Sequence, residues 1–386
     1  MSAFDIELDS GVKTNRLDSI QFLRGVAALL VIAFHFRQYL NGVYAQADLG
    51  DRLFGLGEVG VDIFFVISGF IITYSTANKN KNSPAEFSIK RFFRLYPVFI
   101  ITLTFLLYFD TASNATASQI IKSYFLIPND YNFIGPWYGY NVNLPAWTLT
   151  YEVLFYSIFL IALSINHQNR SLIAAVLIVL ICCSAQLYFR GFLQIDAITR
   201  DSGEPSFVRN FTFISNPIIY DFIYGMLIAE VFMRVKNTFL AQKYVQVFLV
   251  CAACLSIAAI VSGWNRGAGI DRWGLLSFIL VGSVALISKV REFKFSSFWV
   301  LMGEMSYSLY INHMIVKKLS GIYLRDFGIY KANGGMTLFI ILMILTFVMS
   351  YITYNFIEKP TVSIGHKLAE RIRINRIRRE EEESIA

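Results

Sequence analysis

Eight ionisable side chains sit inside apolar stretches of this 386-residue sequence: Arg24, His35, Asp62, Glu152, Asp221, Glu230, Glu304 and His313. Within a bilayer each costs several kcal/mol unless it is paired or lines a cavity, so each is a functional candidate by default. Arg24 and His35 share one apolar run in an R-x10-H pattern. On a helix that spacing returns both to one face, about 20° out of register and about 16 Å apart along the axis. Histidine titrates near neutral pH, and a carboxylate can hold its tautomer and balance its cation, as acyl transfer requires. His35 is therefore a candidate general base, with Asp62 or Glu152 as its orienting acid and His313 as a second base or acceptor-binding residue. On spacing alone a second reading stays open, in which these groups pair only to hold helices together.

Arg91 and Arg94 stand in RFFRLYP, followed by Tyr96. One reading makes them positively charged anchors at the cytoplasmic end of a span. The other makes them a clamp for a phosphorylated ligand, because guanidinium matches phosphate oxygens in a bidentate geometry. Cys251 and Cys254 read as C-x-x-C but lie in an apolar run with Cys182 and Cys183 elsewhere, so they are expected to be small apolar helix residues. The four histidines show no ligand spacing, and no metal site is expected.

The elements that must position these residues are membrane helices. The chain is 55% hydrophobic, 16% aromatic and 16% charged, with a mean hydropathy of +0.52; soluble domains carry roughly 25% charged residues. A hydrocarbon core of about 30 Å needs roughly 20 apolar residues per helix. Ten stretches qualify: 19–36, 57–75, 95–109, 146–164, 171–189, 214–232, 244–262, 272–288, 298–316 and 336–354. The stretch 117–127 is too short to span and is expected in the interface. The fold expected is an all-α integral membrane protein, a bundle of about ten transmembrane helices. Its parts are an N-terminal segment 1–18, a transmembrane domain 19–357 and a charged tail 358–386.

Most of the 34 lysines and arginines fall on one side of this arrangement, which puts both termini in the cytoplasm. His35, Asp62, Glu152 and His313 then share the outer half of the membrane. The net charge of +7 is concentrated in loops and the tail, so it reads as topology and contact with anionic lipid, not as nucleic-acid binding. Trp137, Trp147 and nearby tyrosines are expected in the aromatic belt. The first nineteen residues lack an apolar leader core, so insertion is expected to rely on the first span.

Seven segments in order resemble the membrane-bound acyltransferase-3 family: IQFLRGVAALLVIAFH with Arg24 and His35, GVDIFFVISGFII, the R-x-x-R of Arg91 and Arg94 with Tyr96, PAWTLTYEVLFY with Glu152, FIYGMLIAE, GEMSYSLYINH and IEKP. The resemblance covers nearly the whole chain. It implies transfer of an acyl group, usually acetyl, from cytoplasmic acyl-CoA to a sugar hydroxyl of an extracytoplasmic glycan or its lipid-linked precursor. It also implies an enzyme of the bacterial inner membrane, standing alone without the hydrolase-like domain fused to some members, and working beside polysaccharide-biosynthesis proteins. On this reading Arg24, Arg91, Arg94 and Tyr96 hold acyl-CoA, and His35, Asp62, Glu152 and His313 carry the chemistry. Tyr151-Glu152 departs from the adjacent acids of many relatives, so a catalytic and a structural Glu152 both stay open. The opposing class is a flippase or exporter of a glycan, which would show no acyl transfer.

Overall fold

A computed structural model describes residues 17–78, 82–111, 113–201, 203, 206–326, 328 and 334–385. Lys13, Arg16, Lys79 and Lys81, which are among the charges expected on the cytoplasmic side, lie outside these residues, as does nearly all of the segment 1–18. The main helices are α1 (Asp18–Phe36), α2 (Gly60–Ser75), α3 (Pro84–Phe109), α4 (Trp147–Ile165), α5 (Arg170–Arg190) and α6 (Asp221–Arg234). They continue as α7 (Lys243–Val261), α8 (Trp273–Ser288), α9 (Ser297–Glu304), α10 (Ser306–Tyr323), α11 (Gly335–Thr353) and α12 (Lys359–Ile385). Among the described residues the only strand pairing is a two-residue antiparallel match, Ile134–Gly135 with Thr199–Arg200. The molecule is an all-α membrane protein.

Among the described residues seven helices are long and apolar enough to cross a bilayer, and an eighth span forms if the bent pair Val208–Ser215 and Pro217–Arg234 is counted as one. The expected ten therefore exceeds what length and apolarity support by two. The shortfall has two sources. Helix α8 has only 16 residues. The stretch 298–316 is not one helix: it breaks at Met305 between α9 and α10, and α10 carries Lys317 and Lys318. Helices α5 and α7 are the most peripheral, with 22% and 17% of their apolar windows buried. Leu172, Val176, Leu180, Val247, Phe248 and Leu255 face outward from them, as lipid contact requires.

Helix α3 begins eleven residues before the expected start at 95. Ser83 accepts a hydrogen bond from the Glu86 N–H at 3.3 Å and donates to its carboxylate at 2.9 Å, with Pro84 as the first helical residue. That is a strong helix start, and hydropathy does not register it. Helices α2 and α6 cross in close contact because both carry glycine at the crossing. A Cβ on Gly69 would lie 2.2 Å from the Phe222 carbonyl oxygen, and one on Gly225 2.0 Å from that of Val66. Small residues at such crossings let backbones approach where lipid offers no hydrophobic drive. The charged tail folds as α12, continuous with α11 through a π-turn at Tyr354–Glu358, and packs on α3: Gly365 meets Phe93, and Arg376 pairs with Glu86 at 3.3 Å.

Candidate active site

A cavity of about 100 Å³ lies between α1, α2, α3, α4 and α10. Arg24 enters it from α1, Arg91 and Arg94 from α3, Glu152 and Tyr156 from α4, Ser306, Tyr307 and Tyr310 from α10. Helix α2 gives the apolar wall, with Phe64, Ile67, Ile71 and Ile72, and adds Ser68. The early start of α3 corrects the expected place of its arginines. They do not cap the helix end but lie about 10–15 Å along it, facing inward.

The charges are largely paired. Arg94 forms an ion pair with Glu358, which is fully buried and also accepts from Ser308 Oγ at 2.5 Å. Glu152 accepts hydrogen bonds from the Tyr156 hydroxyl and from Ser68 Oγ, the latter at 3.4 Å. Arg91 donates to Ser75 Oγ at 3.1 Å and lies over the rings of Phe87 and Tyr156 at 5.5 and 5.7 Å. Arg24 donates to Gln21 Oε1 at 3.2 Å. Three guanidiniums thus face two carboxylates, which leaves the cavity one positive charge in excess. Two residues of this site lie outside the set expected from sequence: Glu358, within IEKP, and Tyr156, whose spacing of four from Glu152 is a visible helical pair.

Tyr96 is not at this cavity. It follows Arg94 by two positions, roughly 200° around the helix, and stacks on Phe92 with ring centroids 5.3 Å apart. Leu95 takes the inward place expected for it.

The histidines form a separate centre. The rings of His35 and His313 lie 5.1 Å apart, centroid to centroid. His313 Nδ1 is 2.7 Å from the carbonyl oxygen of Tyr310. A carbonyl only accepts, so Nδ1 carries the proton and Nε2 keeps its lone pair. Nε2 is buried and has no hydrogen-bond partner among the described residues. Lys317, one turn further along α10, donates from Nζ to the His35 carbonyl at 2.8 Å. The expectation that Asp62 or Glu152 orients His35 does not hold, since neither carboxylate bonds to a histidine, and it is His313 whose tautomer a backbone carbonyl sets. Glu152 belongs to the arginine cavity. Asp62 turns away from both centres toward α6, where its Oδ1 accepts from Gly269 N at 2.8 Å and its carboxyl meets that of Asp221. Neighbouring positions on α2 diverge by 100°, so Val61 and Phe65 reach the cavity while Asp62 does not.

Tyr310 joins the two centres. Its ring lines the cavity, packs against Phe64 at 5.7 Å and lies 5.8 Å from His313. Tyr307, Tyr310 and His313 recur every three residues in SYSLYINH, the spacing of one helical face. Glu230 and Glu304 are structural: Glu230 pairs with Arg234 at 2.8 Å and accepts from Ser171 at 2.6 Å, and Glu304 accepts from Tyr354 at 3.0 Å.

Residues 17–355 match the family model described as an acyltransferase domain. Among curated proteins, the exopolysaccharide production protein ExoZ of Rhizobium meliloti is 25% identical over 279 residues, covering 70% of this chain and 80% of that one. YrhL of Bacillus subtilis, to which peptidoglycan O-acetyltransferase activity is ascribed, is 26% identical, covering 92% of this chain and 56% of its own. A Staphylococcus aureus protein with an ascribed O-acetyltransferase activity is 24% identical, covering 92% of this chain and 59% of its own. The chain thus spans little more than half the length of the last two. No solved structure matches it at a significant level.

Proposed function

We propose the following reaction for this chain, which belongs to the acyltransferase-3 family of membrane proteins: transfer of an acyl group, by preference acetyl, from acyl-CoA to a hydroxyl of an extracytoplasmic glycan or its lipid-linked precursor. The protein is read as a multi-pass enzyme of the cytoplasmic membrane, with both termini and the arginine cavity toward the cytoplasm. Arg91, Arg94 and Arg24 attract the phosphate-bearing end of the donor, and the aliphatic wall of α2 accepts its arm. The thioester is directed past Tyr310 toward the histidines. There a histidine nitrogen, with Nε2 of His313 the one whose lone pair is fixed, takes the acceptor hydroxyl proton. The acceptor oxygen bonds the thioester carbonyl carbon, the C–S bond breaks, and the histidinium returns the proton to the departing thiolate. Glu152 and Glu358 hold the guanidiniums in place.

The observation that carries this reading is the continuity from guanidiniums through Tyr310 to a buried histidine with an unoccupied Nε2. The names of ExoZ and the two O-acetyltransferases support a glycan acceptor. The test is NMR of O-acyl groups on surface and secreted polysaccharide, with the gene deleted and restored. Loss of one O-acyl signal at unchanged polymer yield is expected. Intact acylation with trapped polymer would replace the reading with a transporter.

A further inference from the structure

At the end of the bundle that holds the histidines, the loop 125–146 presents a set of aromatic rings. Trp137 and Tyr140 stack with centroids 6.1 Å apart and 29° between planes, Phe133 stands 6.0 Å from Tyr140, and Trp147 braces Trp137 from behind at 6.4 Å. Trp137 and Tyr140 are half-buried and Phe133 is 44% exposed. The sequence reading assigned Trp137 to the aromatic belt. A belt role asks only that each ring reach the headgroup level, whereas these rings pack on one another within one loop.

That loop is strained and pinned. Leu126, Tyr138 and Tyr140 have φ of 56°, 43° and 60°, three of the four non-glycine residues in the left-handed region among those described. Such conformations persist only where the surroundings over-determine them, and they cluster at ligand sites. Here the surroundings are specific. The Tyr138 hydroxyl donates to Asp201 at 2.9 Å, Arg190 holds the same carboxylate, and Tyr151 donates to the Pro136 carbonyl at 2.9 Å. Asn143 Nδ2 donates to the Ile311 carbonyl at 3.3 Å, two residues before His313. The loop is thereby tied to the histidine helix.

A carboxylate lies within electrostatic reach of the rings: burial first and the Glu58 carboxylate second push the Tyr140 hydroxyl upward in pKa, and Glu58 itself pairs with the exposed Arg266 at 3.1 Å. Stacked rings with a carboxylate near them fit a sugar: its C–H faces pack on aromatic faces, and its hydroxyls bond to charged groups. We propose that Trp137 and Tyr140, with Glu58 near Tyr140, form the binding platform for a sugar ring of the acceptor glycan. This inference rests on the acyl-transfer reading for its ligand but not for its geometry.

The test is calorimetric titration of the purified protein in lipid nanodiscs. The probe is a set of oligosaccharides cut from the unacylated polysaccharide of the deletion strain. Saturable binding by the natural protein is expected. Trp137→Ala should weaken it about tenfold or more and Trp137→Phe by less than about threefold, with acetyl-CoA binding unchanged in both. Equal affinity in Trp137→Ala, or no saturable binding by the natural protein, overturns the platform. Lower thermal stability with unchanged sugar affinity is the belt outcome and overturns it too. Should Trp137→Ala fail to fold, Tyr140→Leu tests the same face, and undiminished affinity there is equally fatal. Trp137-dependent sugar binding in a protein whose deletion leaves O-acylation intact would sink the transfer reading and keep the platform.

Discussion

The arginine cavity and the histidine pair share two helices, α1 and α10, yet they treat polar groups in opposite ways. In the cavity, guanidiniums face carboxylates, and Glu358 is wholly buried between Arg94 and Ser308. At the histidines no carboxylate approaches, the tautomer of His313 is set by a backbone carbonyl, and Nε2 is left without a partner. Paired charge in a low-dielectric site fixes geometry and attracts an oppositely charged ligand, but it cannot readily take up a proton. A neutral nitrogen with a spare lone pair can. In the proposed reaction the two centres divide binding from proton transfer, and Tyr310 with Phe64 lies between them.

The sharpest way to break this division is at the histidines. His313→Ala should lower acylation about 10²–10⁴-fold with normal insertion, the usual range for a general base. His35→Ala should lower it as well, by less if His313 holds the working lone pair. Full acylation of polysaccharide in cells carrying either variant would remove that residue from the chemistry. The cavity should answer differently, in stability. Glu358→Ala leaves the Arg94 guanidinium buried without its ion-pair partner and should cost about 3–5 kcal/mol, read as a lower melting point in fluorescence-detected size exclusion.

Arg91 sharpens the comparison from the binding side. Its hydrogen bond goes to a serine, not to a carboxylate, so Arg91→Ala should leave folding nearly intact. Kinetics should show KM for acetyl-CoA rising roughly tenfold, about 1.4 kcal/mol, with kcat changed less. An effect on kcat alone would contradict a binding role. The smallest effect is expected at Tyr96, which stacks on Phe92 away from the cavity. Tyr96→Phe should stay within about 0.5 kcal/mol in stability and leave KM unchanged, whereas a raised KM would restore it to the donor site.

Much of the site was legible because helical periodicity is strict. The shared face of Arg24 and His35 follows from spacing alone, and the Arg91–Arg94 pair lies inward as a clamp reading requires. What misled was hydropathy, which registers apolarity and not helix starts. Glu86, Lys90, Arg91 and Arg94 pull the average down, so the span seemed to begin after them, while Ser83-Pro84 and Glu86 had already capped a helix. The same averaging bridged Met305 and made one helix of two. Asp62 was misplaced for another reason. Its direction around α2 depends on where α6 packs, which the spacing along α2 does not record.

The sequence by itself determined the class of molecule, the principal helices and the identity of the buried ionisable groups, because the bilayer taxes every polar atom and the apolar runs must be long enough to hide the backbone. Only the tertiary structure decided which of those groups meet. Partnership is set by the rotation and crossing of helices far apart in the chain, as where Gly69 and Gly225 let α2 and α6 touch. It is also set by single contacts such as Glu358 with Arg94 and the Tyr310 carbonyl with His313. Spacing within one helix carries no record of either.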